Sequence, residues 1–251
     1  MGQANQATYP INSRLPAIGS FKMVRAVVFD CDGVLSDNGS SWQLIHDYFG
    51  TGKGDGGRHQ EKLEMFLDGK ISEEEFVAHD IQLWRGVSPQ IHRDDIMRCY
   101  SGVGLIEGAR LVVEELQNRG VFVAIVSSGV DMFVGAIANM LKVDDWVANG
   151  FEWDEDGLLV KGLPTRVLSH DKGIMVEKLA RINGFKPSEI VSVGDSSTDL
   201  SMRIKGSQFI GFNPRRERAK LAFQEAGVPI IEERDLRLIW PLIFPGEDLP
   251  A

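Results

Sequence analysis

Short, continuous apolar runs recur along the chain, bounded by Gly, Asp or Ser residues. They are VRAVVF at 24–29, VFVAIVS at 121–127, EIVSVG at 189–194, QFIGF at 208–212 and VPIIE at 228–232. A run of this kind is typical of a strand that is buried on both faces, as in parallel sheets. The pattern therefore predicts a sheet of parallel strands.

Helical patterns lie between these runs. Apolar residues over 109–116 follow the i, i+3, i+4, i+7 spacing of an amphipathic helix, which Gly120 ends. A second helix over 175–182 follows Asp171, a predicted N-cap, and is closed by Gly184. Strands that alternate with helices predict an α/β fold, with a Rossmann-like parallel sheet core flanked by helices.

The alternation is interrupted after the first strand, because residues 42–100 carry only helical patterns. We expect this stretch to be a small helical cap, inserted into a core domain of residues 23–41 and 101–251. A second irregularity lies at 152–160, where Asp156-Gly157 predicts a hairpin turn.

Composition and charge narrow the function. The 251 residues have ordinary globular composition, and a net charge of −9 gives no general attraction to nucleic acid or to anionic lipid. No apolar run approaches the roughly 18–20 residues that span a bilayer. The first 22 residues are polar and predict a flexible tail rather than a secretory signal. Only two cysteines suit a reducing compartment, so we expect a cytoplasmic protein. From the charge and the lack of a spanning run, we expect no nucleic-acid or membrane partner.

The first strand ends in a pair of carboxylates, in the sequence Asp30-Cys31-Asp32-Gly33. Side chains alternate along a strand, so Asp30 and Asp32 can point the same way at its carboxyl end, where open α/β sheets bind ligands. Two carboxylates this close favour a divalent cation that relieves their repulsion. Taken alone, the motif is explained equally well by a capping turn.

A second acidic pair ends the run at 189–194, in Gly194-Asp195-Ser196-Ser197-Thr198-Asp199. Asp195 could complete a site for Mg²⁺, which prefers oxygen ligands. The alternative is a helix cap for a helix predicted over 198–205, a role that Asp199 fills more easily than Asp195.

Two further features could handle an anion. Ser127-Ser128-Gly129 ends the run at 121–127, and a hydroxyl beside backbone N–H groups at a helix start can bind phosphate. Lys172 starts a helix, where the dipole disfavours a cation unless an anion or the acidic groups lie nearby. Separately, an ordinary Ser/Gly turn and a solvated lysine explain these features better.

The order of the four groups is far more specific than any one of them. VVFDCDGV (27–34), IVSSG (125–129), the HDKG around Lys172 and VGDSSTDLSM (193–202) resemble the haloacid dehalogenase superfamily. Within it they are similar to the phosphoserine-phosphatase-like branch, whose helical cap resembles residues 42–100. The resemblance implies a Mg²⁺-dependent phosphatase that acts on a small phosphorylated metabolite.

The resemblance also implies a role for each motif residue. Asp30 would be the nucleophile that becomes an aspartyl phosphate, and Asp32 would be the general acid and then the general base. The remaining roles would be Mg²⁺ binding by Asp30, Asp195 and the Asp32 carbonyl, phosphate binding by Ser127 and the Ser128 N–H, charge neutralisation by Lys172, and orientation of Lys172 or a metal-bound water by Asp199.

Some positions depart from that branch and put phosphoserine in doubt. Seven residues after Asp32, where a Glu reads the amino group of phosphoserine, the chain has Gly39, and Thr198 replaces the Asn before the last acidic residue. The arginine that reads the serine carboxylate has no clear match. Candidates for binding the non-reacting end of the substrate are Arg58, Arg85 and Lys53.

Other functions fit parts of the pattern. A phosphotransferase would pass the phosphoryl group to an alcohol acceptor, and a phospho-acceptor signalling module would hold it without turnover. A non-catalytic binding protein on the same scaffold would have no need of Asp32. The length, the helical insertion and the paired acidic motifs favour a phosphatase over a signalling module. The presence of all the expected acidic residues and of Lys172 favours it over a binding protein.

Overall fold

A six-stranded parallel sheet forms the centre of the fold in the residues that the computed structural model describes, 23–52 and 57–250. The strands are β1 Ala26–Phe29, β2 Phe122–Val130, β3 Asp145–Asn149, β4 Phe151–Trp153, β5 Leu159–Gly162, β6 Ile190–Gly194, β7 Gln208–Phe212 and β8 Ile230–Ile231. The central sheet has the order β3-β2-β1-β6-β7-β8, which confirms the predicted α/β core. The tail predicted for residues 1–22 lies outside the described residues.

Helices flank the sheet, and both of its faces are covered. They are α1 Ser41–Phe49, α2 Arg58–Leu67, α3 Glu73–Val87, α4 Arg93–Cys99, α5 Ala109–Asn118, α6 Asp131–Leu141, α7 Gly173–Asn183, α8 Glu217–Glu225 and α9 Trp240–Ile243. In β1, Val27 and Phe29 belong to one apolar core, whereas Ala26 and Val28 belong to the other. Two buried faces explain why this run is apolar throughout.

Helices α1 to α4 occupy the stretch between β1 and α5, where the sequence predicts only helices. A capping box starts α3, since the Ser72 hydroxyl accepts from the Glu75 N–H and the Glu75 carboxylate accepts from the Ser72 N–H. Trp84 of α3 is fully buried and stacks on Trp42 of α1. Aromatic packing therefore joins α1 to α3.

The sequence predicts the β4–β5 hairpin but not β3. The two strands pair antiparallel, and Gly157, at a φ of 79°, lies in their turn. Strand β3 is at an edge of the sheet, and its first two residues, Asp145 and Trp146, are exposed. An edge strand of this kind needs no continuous apolar run, so the pattern carries no signal for it.

Two predicted helix boundaries are wrong. The N-cap of α7 is Lys172, not Asp171, and the Ser201 hydroxyl accepts from the Lys172 N–H at 3.0 Å. The helix predicted over 198–205 is a short 3₁₀ helix, Ser197–Met202. Its start is held by the Asp199 carboxylate, which accepts from the Ser196 N–H at 2.9 Å.

Candidate active site

The two acidic strand ends lie side by side at the carboxyl edge of the sheet. Strands β1 and β6 pair in parallel, with Phe29 opposite Val193, so the residues that follow both strands emerge together. One carboxylate oxygen from each of Asp30, Asp195 and Asp199 lies within 4.8 Å of the others. The structure thus brings together three acidic residues that the sequence places in two motifs.

Lys172 lies among these carboxylates and is itself buried. Its Nζ is 2.8 Å from Asp30 Oδ1 and 2.6 Å from Asp199 Oδ1. This position explains why a lysine is tolerated at the start of α7, against the helix dipole. The lysine fixes the Asp30 side chain and compensates part of the negative charge.

The site carries more negative than positive groups, and its carboxylates are buried at Asp30, Asp32 and Asp199 and half-buried at Asp195. Burial raises the pKa of Asp30 to about 7, with Asp199 and Asp32 adding to the increase and Lys172 opposing it. Burial also raises the pKa of Asp195, and the charges of Asp199 and Asp30 add to it. Burial opposes protonation of Lys172, but Asp199 and Asp30 hold its pKa above the usual value.

Gly33 sets the position of Asp195. The residue has a φ of 79°, which favours glycine, and a Cβ built on it would lie 2.5 Å from Asp195 Oδ2. The carboxylate therefore packs directly against the loop that follows β1. A compact, largely buried set of carboxylate oxygens with excess negative charge fits a divalent cation of the Mg²⁺ type.

Asp32 has its own set of hydrogen bonds. Its Oδ2 accepts from both the N–H and the hydroxyl of Ser41, each at 2.8 Å, and its Oδ1 accepts from Asn38 Nδ2 at 2.8 Å. Burial raises the pKa of Asp32, and these hydrogen bonds oppose the increase. Ser41 is the first residue of α1, so the helical segment, by which we mean α1 to α4, contacts this carboxylate directly.

Ser127 and Ser128 lie within the end of β2 rather than in a separate turn. The pairing of β2 with β3 shifts register between Val126 and Val130, a bulge of the kind that redirects side chains. Ser127 Oγ lies close to Asp32, since a Cβ on Gly129 would meet both Ser127 Oγ, at 3.2 Å, and Asp32 Oδ2, at 2.9 Å. The structure therefore brings the serine motif to the first acidic motif.

Helix α3 closes against the segment that carries Lys172. Glu73 Oε1 accepts from the Ser169 hydroxyl at 2.8 Å, and its Oε2 accepts from the Ser169 N–H at 3.1 Å. Asn149 Nδ2 lies 3.4 Å from Glu73 Oε1 and 3.4 Å from the Ser128 carbonyl. Glu73 therefore links the helical segment to residues beside the serine motif.

Of the three residues that the sequence suggests for binding the non-reacting end of the substrate, the two that the structure describes, Arg85 and Arg58, are not part of the acidic cluster. The Arg85 guanidinium donates to the carbonyls of Leu159 and Val160, which ties α3 to the β4–β5 hairpin. Arg58 starts α2 and lines a cavity of about 430 Å³ in the helical segment. Lys53 lies outside the described residues.

Sequence reasoning missed Ser41, Asn38 and Glu73. All three are common residue types, and Glu73 is also far along the chain from its partner Ser169. A signal existed only for Ser41, because the Ser40-Ser41 pair directly precedes an apolar helical pattern, as N-caps do.

Comparison with known proteins agrees with this geometry. A phosphoserine phosphatase from Methanocaldococcus jannaschii is 29% identical over 222 residues, which cover 87% of this chain and 97% of that protein. One from Lactococcus lactis is 30% identical over 179 residues, covering 70% of this chain and 77% of that protein. A solved substrate-bound phosphoserine phosphatase complex superimposes with a TM-score of 0.72 at 28% identity, over 88% of this chain and 99% of that one.

These likenesses and the lysine-bound carboxylates define a phosphoric monoester hydrolase with a Rossmann-like core. The model of the haloacid dehalogenase-like hydrolases matches residues 27–203, and the chain belongs to that family. None of the helices in the described ranges is long and apolar enough to cross a membrane.

Proposed function

We propose that the protein hydrolyses a small phosphomonoester with Mg²⁺, through a phosphoryl group carried on Asp30. The observation that carries the proposal is the cluster in which Lys172 Nζ holds Asp30 Oδ1 at 2.8 Å, beside Asp195. Phosphoryl transfer depends mainly on positioning and charge stabilisation, and this cluster supplies both. A solved phospho-aspartyl intermediate analogue of phosphoserine phosphatase supports it, at a TM-score of 0.71 and 28% identity.

The residues divide the reaction between them. Asp30 Oδ attacks phosphorus while Asp32 gives a proton to the leaving alcohol, and Asp32 then takes a proton from the water that cleaves the acyl phosphate. Lys172 neutralises Asp30 and the phosphoryl oxygens, Ser127 and the Ser128 N–H donate to those oxygens, and Asp199 holds Lys172. Asp30, Asp195 and the Asp32 carbonyl would hold Mg²⁺, which adds positive charge against the phosphoryl group when bound.

Helices α1 to α4 are proposed to act as a cap over this edge of the sheet, between core segments 23–41 and 101–251. Two contacts support this proposal. Ser41 of α1 contacts Asp32, and Glu73 of α3 contacts Ser169. Closure over the bound substrate would exclude bulk water from the reacting groups. Both cysteines, Cys31 and Cys99, are free and buried, which supports a cytoplasmic location.

The substrate is proposed to be small and phosphorylated. It is not proposed to need an amino group, because Gly39 stands where the phosphoserine-phosphatase-like branch has a Glu that binds one. Gly39 offers no carboxylate, and a Cβ built there would meet Arg215 Nη1 at 3.4 Å. The neighbouring Asp37 pairs with Arg215 and Arg234. A cationic surrounding of this kind disfavours an ammonium group.

The test is hydrolysis of p-nitrophenyl phosphate and of a metabolite panel that includes phosphoserine. Asp30→Asn should abolish the Mg²⁺-dependent turnover, whereas Asp37→Asn, the same change at an exposed position of the same loop, should retain it. Turnover that survives in Asp30→Asn refutes the proposal. New phosphoesters formed when alcohols are added would favour a phosphotransferase.

A further inference from the structure

A second polar cluster lies inside the helical segment and has no part in the proposed reaction. Of the chain's five histidines, His46, His59 and His79 gather around the carboxylate of Asp80. The four residues come from α1, α2 and α3, and His46 and Asp80 are almost completely buried. A buried carboxylate needs compensation, and an apolar helix core would be the simpler solution.

The donor atoms are spaced as the ligands of one small ion would be. Asp80 Oδ2 is 3.1 Å from His46 Nε2, and Asp80 Oδ1 is 3.0 Å from His59 Nδ1. One donor atom from each of these three residues lies within 4.8 Å of the others. Ligands about 2.0–2.1 Å from a tetrahedral ion lie about 3.3 Å apart, so small movements would complete such a site.

The surroundings of His46 resemble the support that metal-bound imidazoles receive. Its Nδ1 is 2.8 Å from the Thr51 hydroxyl, which can accept a proton held there and so orient the ring. His79 Nδ1 is buried, has no hydrogen-bond partner among the residues that the structure describes, and lies 3.6 Å from Asp80 Oδ1. A cavity of about 430 Å³, lined by Thr51 and His79, gives access from this side.

We propose that His46, His59 and Asp80 bind a divalent transition metal of the Zn²⁺ class, with His79 as an additional ligand. Two imidazoles and one carboxylate suit such ions, whereas Mg²⁺ and Ca²⁺ prefer oxygen ligands. The ion would join α1, α2 and α3 at one point. This site is separate from the carboxylates at the sheet edge, and the inference does not depend on the proposed function.

Binding requires one rearrangement of protons. The Trp84 indole N–H donates to His46 Nδ1 at 3.2 Å, which places the imidazole proton on Nε2, facing Asp80. When the ion takes the Nε2 lone pair, that proton moves to Nδ1 and is donated to Thr51 Oγ1. The Trp84 N–H gives up this acceptor, and the charge of the imidazole does not change.

The experiment titrates the full-length protein with Co²⁺, in excess Mg²⁺ so that the sheet-edge carboxylates are occupied. We expect one Co²⁺ per chain with visible d–d absorption bands, and competition by Zn²⁺. His59→Gln and His46→Gln should weaken uptake at least about tenfold. The matched control is His92→Asn, which removes a histidine outside the cluster while retaining a residue that can cap α4.

A second measurement does not depend on how the variants fold. In the wild-type protein labelled with ¹⁵N-histidine, Zn²⁺ should shift the ring nitrogens of His46 and His59 and leave those of His92 unchanged. Ring nitrogens that do not shift, Co²⁺ affinity that His59→Gln leaves unchanged, or shifts confined to His92 and His170 would each overturn the proposal. In those cases the cluster is a hydrogen-bonded network only.

Discussion

Asp32 is held at both carboxylate oxygens, and Ser41 provides two of its hydrogen bonds. The Ser41 hydroxyl also accepts from the Val130 N–H at 3.0 Å, at the end of β2. One side chain therefore connects the proposed general acid, the first turn of α1 and the strand that carries the serine motif. We infer that Ser41 is a positioning residue for Asp32.

Ser41→Ala should lower kcat by about tenfold, as expected when one buried hydrogen bond of about 1–1.5 kcal/mol is lost near the reacting groups. Since the Ser41 hydroxyl lowers the pKa of Asp32, its removal should move the corresponding limb of the pH–rate profile to higher pH. Ser88→Ala, which removes an exposed hydroxyl of the same segment, is the control. An unshifted profile with reduced kcat would indicate a purely structural role.

Gly33→Ala should weaken Mg²⁺ binding and reduce activity at least about tenfold, because the new Cβ would displace the Asp195 carboxylate. The matched control is Gly102→Ala. Gly102 has a φ of 84° and open space around it, so Gly102→Ala introduces the same backbone strain without a contact between the new Cβ and a carboxylate. Mg²⁺ titrations of the two variants separate these effects, and equal losses in both would contradict the role given to Gly33.

At the scale of elements, the contact between α3 and the segment 165–172 links the helical segment to Lys172. Glu73 holds Ser169 through two hydrogen bonds, and Glu74 accepts from the Thr165 N–H at 3.3 Å. Burial raises the pKa of Glu73, and its hydrogen bonds to Ser169 oppose the increase. If α1 to α4 open as the proposed cap, these bonds break together.

Glu73→Gln should increase amide hydrogen exchange over 165–172 and raise KM more than it lowers kcat. The amide is a weaker acceptor than the carboxylate, so the closed arrangement loses about 1–2 kcal/mol. Glu114→Gln, on the exposed face of α5, serves as the control. Exchange that stays unchanged over 165–172 would show that this contact does not hold the segment.

The elements that the sequence predicts best are those with a local signal. β1 is continuous in apolar residues because both of its faces are buried, and Asp30 follows it directly. The edge strand β3 and the Glu73–Ser169 contact have no such signal, because they depend on pairing between distant residues. The N-cap at Lys172 was missed for the same reason, since its partner Ser201 lies 29 residues away.

At the scale of the whole molecule, the acidic cluster links stability to pH and to metal. In the metal-free folded protein the pKa of Asp30 is raised from 3.8 to about 7, and that of Asp195 is also raised. The folded state then holds more protons than the unfolded state in this range, so the free energy of unfolding falls as pH rises from about 4 to about 7.

Urea unfolding should therefore show lower stability at about pH 8 than at about pH 5 in EDTA, and Mg²⁺ should remove most of this difference. Asp195→Asn should make the free energy of unfolding in EDTA depend less on pH, because one titrating carboxylate is lost. The pKa of Asp80 is lowered by His46 and His59 despite its burial, so Asp80 changes the free energy of unfolding only below about pH 4. Metal-free protein that gains stability over the same range would contradict this account.

The order of strands in the sheet also determines when the site can exist during synthesis. β1 lies between β2 and β6, and its acidic partner Asp195 follows β6, so 164 residues separate Asp30 from Asp195 along the chain. A nascent chain that has emerged only through β2 has Asp30 and the serine motif but neither Lys172 nor Asp195. Bringing Asp195 to Asp30 closes a loop of 164 residues, which is slow relative to local helix formation. The cluster that contains Asp30, Lys172 and Asp195 therefore cannot assemble until the chain has been synthesised beyond residue 195.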